Sequence, residues 1–122
     1  MCALNRFYYR DERVKFSQEI VNDAQLFNTT THEFVCPVTG VYLLQAHFRS
    51  SSGFAFTANV MRNNTIIFST VSFFNDQNGS SMATMECNEG EAVYVEVTEN
   101  GFLAGDETNQ NSCITVVLLN AN

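Results

Sequence analysis

The alternation of apolar and polar residues with a period of two constrains this chain more than any other feature of its sequence. In residues 40–50 (GVYLLQAHFRS), Tyr42, Leu44, Ala46 and Phe48 fall on one face of an extended strand. Phe54, Phe56, Ala58 and Val60 do the same in the next run, with Thr57 and Asn59 opposite. Residues 91–99 set Val93, Val95 and Val97 inward against Tyr94, Glu96 and Thr98. Asn63 and Asn64 punctuate two β-branched runs, and Asn tolerates the left-handed backbone that a tight hairpin turn requires. No segment carries a capped helical stripe. Short strands at regular spacing joined by polar turns predict an all-β chain folded as a sandwich or jelly roll.

At 122 residues the chain has the length of one domain, and residues 1–122 are read as one unit. Eleven Phe and four Tyr offset the ordering entropy of folding, which excludes a disordered chain. Apolar runs such as Val116–Leu119 fall far short of the roughly twenty residues a membrane-spanning helix needs. The net charge is −7, and its distribution is uneven. Arg6, Arg10, Arg13, Lys15, Arg49 and Arg62 all lie in the first half, and residues 63–122 hold eight acids and no base. Such a chain lacks the clustered cations a nucleic acid demands, so no nucleic-acid partner is expected.

Cys2, Cys36, Cys87 and Cys113 form no Cys-x-x-Cys, which leaves a zinc or thioredoxin-like site without support. Four cysteines permit three complete pairings. Cys36 and Cys87 sit in apolar strand-like runs and are read as buried thiols packing as small hydrophobes rather than as a bridge. Sequons at Asn28, Asn63 and Asn78, each expected in a loop or turn, are candidate glycosylation sites. They point to secretion, and since residues 1–6 lack the apolar core of a signal peptide, secretion implies a leader removed from this chain.

Candidate chemistry is sparse. The histidines are His32 and His47, and on extended chain His32 and Cys36 stand more than about 10 Å apart. The sequence contains no Gly-x-Ser-x-Gly elbow, no His-x-x-x-His pair and no phosphate-cradling glycine loop, so no enzyme is expected. Asp106, Glu107, Asn109 and Asn111 bring hard oxygen donors close together, as Ca²⁺ requires, and Gly105 can bend the backbone to converge them. Polar stretches at 49–53 and 75–81 are candidate recognition loops. Val41 and Leu43, and Thr115, Val117 and Leu119 on the last strand, put apolar side chains opposite the expected core, where a neighbouring subunit is the expected cover.

Phe16, Asn22, Phe27, Phe34, Gly40 and Tyr42 are spaced as in the signature of the complement C1q globular head domain family, and residues 33–42 (EFVCPVTGVY) closely resemble its most recognisable segment. The likeness extends through residues 60–64 (VMRNN), 89–97 (EGEAVYVEV) and 112–119 (SCITVVLL), and so covers nearly the whole chain. Leu44 and Ala46 depart from the family's usual aromatics, Tyr94 from a common Trp, and Val116 from a common small residue. In physical terms the matched Phe residues are core anchors worth about 1.5–3 kcal/mol each, and Gly40 is expected to serve a turn that needs positive φ.

The resemblance, strongest to invertebrate C1q-domain proteins, implies a ten-stranded jelly roll like that of the tumour-necrosis-factor ligands, assembled as a homotrimer through Val41, Leu43, Val117 and Leu119. It implies a secreted module of innate immunity that binds microbial glycans or other repeated surface ligands. The alternatives are an extracellular calcium- or cation-binding matrix or fluid protein, and a cytokine-like receptor ligand. Some family members hold Ca²⁺ at the trimer apex, which makes Asp106, Glu107 and Asn109 the expected ligands and Ca²⁺ the one expected cofactor.

Overall fold

The computed structural model describes residues 1–4, 6–17, 26–50, 56–72, 78–104 and 112–121. Ten strands run in chain order: β1 Arg6–Tyr8, β2 Phe27–Asn28, β3 Glu33–Val35, β4 Gly40–Ser50, β5 Phe56–Arg62, β6 Thr65–Ser72, β7 Asn78–Cys87, β8 Ala92–Val97, β9 Gly101–Ala104 and β10 Cys113–Ala121. No helix occurs among the described residues. The strands form two five-stranded sheets. In the first, β4 pairs with β7 along one edge and with β10 and β9 along the other, and β1 lies beyond β9. The second has the order β2-β3-β8-β5-β6.

The period-two pattern maps onto the core as the sequence indicates. Tyr42, Leu44, Ala46 and Phe48 point from β4 into the space between the sheets, where they meet Phe56, Ala58 and Val60 of β5 and Val93, Val95 and Val97 of β8. Burial is continuous because each strand offers every second residue to one interior. An aromatic chain runs through it: Phe16 packs edge-on against Phe27 at 5.7 Å between centroids, and Phe48 stands 6.2 Å from Phe16 and 5.4 Å from Phe56. Phe34 is only partly buried and packs against Tyr42 from the side.

Three expectations need correction. Gly40 does not adopt positive φ; among the described glycines only Gly90 does, at 87°. Gly40 is instead a site of close approach, because a Cβ there would lie 2.5 Å from the Asn120 carbonyl oxygen on β10. Cys36 and Cys87 are buried, but they are bonded to each other, not free thiols. Cys36 follows β3 in one sheet and Cys87 ends β7 in the other, and the sandwich brings their Cα atoms to 6.5 Å, within disulfide reach. Cys2 bonds Cys113, closing 111 residues of chain. Finally, Asn78–Ser81 is not loop but the start of β7, with Asn78 paired to Arg49 and Ser81 to Ala46.

The alternation could not foresee the first four residues. Met1–Ala3 lies along the second edge of β10: Ala3 N–H donates to the Ser112 carbonyl at 2.8 Å, and Ile114 N–H to that of Met1 at 2.9 Å. The segment caps only the start of that edge, and no other described segment pairs with the rest.

Candidate functional site

Two surfaces carry features that the core does not explain. The first is the outer face of the β7-β4-β10 layer. Register places Leu43 between Thr84 and Val117, and Gln45 between Met82 and Thr115. Val41 pairs with Glu86 on one side and Asn120 on the other, across a bulge at Leu119. The four residues expected at a subunit interface therefore share one region, with Val41 and Leu43 half-buried and Val117 and Leu119 exposed at 44% and 53%. Met82 joins them at 64% exposure. Its alternation signal was invisible because its strand neighbours are Ser, Ala and Thr, a run that reads as loop. Apolar side chains spread over three adjacent strands form a patch of the kind that single-chain proteins seldom leave bare.

One end of the sandwich is locked by side-chain to backbone hydrogen bonds. Asn63, at φ 50° in the β5–β6 turn, accepts at Oδ1 from Ala92 N–H (3.0 Å) and donates from Nδ2 to Glu91 (3.1 Å). Tyr94 Oη–H donates to the Asn63 carbonyl at 2.5 Å, and Glu89 N–H donates to Thr39 Oγ1 at 3.0 Å. Asn63 thus holds the turn together. Asn28 ends β2, and its Oδ1 accepts from the N–H groups of Thr30 and Thr31, which leaves the side chain exposed on a turn. The side chain of Asn78 lies outside the described residues, as do Asp106, Glu107, Asn109 and Asn111. Among the described residues no cluster of three or more His, Cys, Asp or Glu side chains could hold a metal.

The second surface gathers the basic residues of the N-terminal segment. Arg13 stacks its guanidinium 3.9 Å from the Tyr94 ring centroid, which explains why Tyr94 is buried although it points away from the core. The same guanidinium donates to Glu33 at 3.1 Å and to the Thr31 carbonyl at 3.2 Å. Arg6 lies 3.9 Å from the Glu12 carboxylate and over the Tyr8 ring. His32 joins this group at φ 60°, with its Nδ1 buried and without a partner. Burial first, then the positive charges of Lys15, Arg6 and Arg13, hold its pKa below the ordinary imidazole value. Burial likewise raises the Tyr8 pKa, against the Lys15 N–H that donates to its hydroxyl at 3.0 Å. His47 lies half-buried on the outer face of β4, opposite Cys113 and Ser80.

The C1q domain family model matches residues 3–119. The chain belongs to the C1q domain family. Its fold is also similar to solved structures at low sequence identity. The globular domain of zebrafish complement 1qA superposes with a TM-score of 0.68 at 17% identity, covering 100% of both chains. The Eiger TNF of S. frugiperda gives 0.77 at 15% identity, over 97% of this chain and 87% of that one. Murine APRIL at pH 5.0 gives 0.73 at 15% identity, over 97% and 95%. At these identities the likeness is one of fold, and it places this C1q domain in the jelly-roll architecture shared by C1q heads and TNF proteins. Domains of this class are typically recognition or ligand modules outside the cell, and among the described residues no helix is long and apolar enough to cross a membrane.

Proposed function

We propose that this C1q domain is a secreted, non-enzymatic recognition module that assembles as a homotrimer and binds repeated ligands, microbial glycans foremost. The observation that carries the reading is the apolar outer face of β7-β4-β10, where Val41, Leu43, Met82, Val117 and Leu119 need a cover that the described chain does not provide. A second and third copy supply that cover and leave the ends of the sandwich open to ligand. Three identical weak sites on one rigid body engage a repeating surface with an avidity about 10²–10⁴ above a single site, without any strong individual contact. Binding of the recombinant trimer to a glycan array and to lipopolysaccharide tests the reading. Silence across both at high protein concentration refutes it.

A cytokine-like role is the second reading, since the fold is as similar to the Eiger TNF and APRIL structures as to the complement domain. Saturable binding to a cell-surface receptor with no glycan binding selects it. Calcium at Asp106, Glu107 and Asn109 is a further part of the proposal. In a trimer, the two carboxylates of each loop would repel their neighbours until a divalent cation bound them. Millimolar Ca²⁺ is expected to raise the melting temperature of the wild type but not of an Asp106→Asn, Glu107→Gln variant, and an unchanged wild type removes the site and with it the cation-binding matrix reading.

A further inference from the structure

Three Asn-x-Ser/Thr sequons stand in the chain, at Asn28, Asn63 and Asn78, and the function above uses none of them. The side chain of Asn78 lies outside the described residues, and the fold treats the other two in opposite ways. Asn63 engages both ends of its amide: Oδ1 accepts from Ala92 N–H at 3.0 Å and Nδ2 donates to Glu91 at 3.1 Å. Its backbone N–H donates to the Ala92 carbonyl at 2.8 Å, and the Glu91 carboxylate also accepts from Asn88 N–H at 2.6 Å. Asn28 engages only one end. Its Oδ1 accepts from Thr30 N–H at 2.8 Å and from Thr31 N–H at 3.1 Å, and no described group accepts from its Nδ2. With the oxygen turned onto the backbone, the nitrogen is the free end of the amide. Asn28, Thr29, Thr30 and Thr31 are all exposed, and β2, which Asn28 ends, is the outermost strand of the second sheet.

We propose that Asn28 is the N-glycosylation site of this domain and that Asn63 stays unmodified in the folded, secreted protein. The proposal rests on the secreted part of the reading above and extends it to the processing of the chain. In the transfer, Asn28 Nδ2 attacks the anomeric carbon of an oligosaccharide carried on a lipid pyrophosphate. A C–N bond forms, the bond from that carbon to the pyrophosphate oxygen breaks, the lipid pyrophosphate leaves, and Nδ2 gives up one proton. The product retains Oδ1 and with it both bonds to the turn. At Asn63 the same change puts a sugar on the nitrogen that faces Glu91, so a chain modified there folds with that clamp broken. A glycan on Asn28 belongs to the second sheet, not to the outer face of β7-β4-β10, so it is compatible with assembly through that face. It also shields the β2 edge from pairing with another chain.

The chain is produced in cultured eukaryotic cells behind a secretion leader, and the secreted protein is treated with peptide-N-glycosidase in heavy-oxygen water. That treatment turns a glycosylated Asn into a labelled Asp, which peptide mass spectrometry reads against a mock-treated control. Asn28 is expected to carry the label in most molecules and Asn63 to remain unlabelled Asn. Thr30→Ala leaves the two backbone N–H donors of the turn in place but removes the sequon, so it should abolish the label at Asn28. Thr30→Ser should retain it. The glycosylated protein and its Thr30→Ala variant should sediment with the same number of subunits.

An unlabelled Asn28, a label there that survives Thr30→Ala, or as much label at Asn63 as at Asn28 would each overturn the proposal. Loss of assembly in the glycosylated form alone would overturn it as well. The two readings fail separately. The leader sends the chain through the secretory pathway in every arm, so an unlabelled Asn28 removes this site alone, whereas a labelled Asn28 with a silent glycan array removes the recognition reading alone.

Discussion

Replacing Gly40 by Ala tests the packing of the last strand against the centre of the first sheet. The added Cβ would stand 2.5 Å from the Asn120 carbonyl oxygen, 3.1 Å from the Ala121 Cα and 3.2 Å from Leu118 Cδ1. The Leu118 side chain can rotate away, but the other two atoms are backbone. To reach ordinary contact, β10 and β4 must part by more than about half an ångström at this point. Overpacking of this kind costs about 1–3 kcal/mol. The pairs Gly40–Ala121 and Val41–Asn120 lie beside the insertion, and losing a ladder bond there adds about 1 kcal/mol.

The sum is about 2–4 kcal/mol, which for a domain of this length lowers the melting temperature by roughly 8–15 °C. Thermal melts followed by circular dichroism at one fixed protein concentration measure it, since assembly makes the midpoint depend on concentration. Gly90→Ala is the control. Gly90 has φ 87° and nothing within 4 Å of where a Cβ would stand, so its cost is backbone strain alone, about 1–2 kcal/mol, and Asn should recover part of it. A Gly40→Ala protein that melts within about 2 °C of wild type would show that β10 yields freely, and the close-approach argument would fall.

Val117→Asp puts a charge on the outer face beside Leu43 without entering the core, so sedimentation should change from about three subunits to one while the circular dichroism spectrum is kept; an unchanged mass would exclude this face as the interface. Serine at both Cys36 and Cys87 should lower stability to urea by about 4 kcal/mol, from the entropy of a chain cross-linked across 51 residues, and a difference under about 1 kcal/mol would contradict the bridge. His32 has its pKa held below 6.5 in the folded protein, so the unfolded chain takes up its proton first as pH falls. Stability is therefore full above pH 6.5 and declines below it, and His32→Gln should flatten that decline in urea titrations at a series of pH values; an identical slope would refute it. Tyr8 ionises later in the folded than in the unfolded chain, so stability should fall as pH rises past 10, and Tyr8→Phe should remove that fall at the expense of the bond to Lys15 N–H.

The alternation of Tyr42, Leu44, Ala46 and Phe48, and of Val93, Val95 and Val97, was legible because a strand sends every second side chain to one side wherever it is placed. The same rule set Val41, Leu43 and Val117 on the opposite face, and Asn63 marked its turn because few residues accept positive φ. What no local rule contains is the meeting of distant segments. Cys36 and Cys87 become neighbours only when the two sheets stack, so an apolar setting alone read as buried thiols. Gly40 looked like a turn glycine until β10 arrived beside it. Arg13 over Tyr94, with Glu33 beside the same guanidinium, joins residues whose sequence neighbours say nothing of each other. Which residues face inward follows from backbone pleat and hydrophobicity and can be read along the chain; which of them touch depends on how the strands are ordered and how the two sheets close.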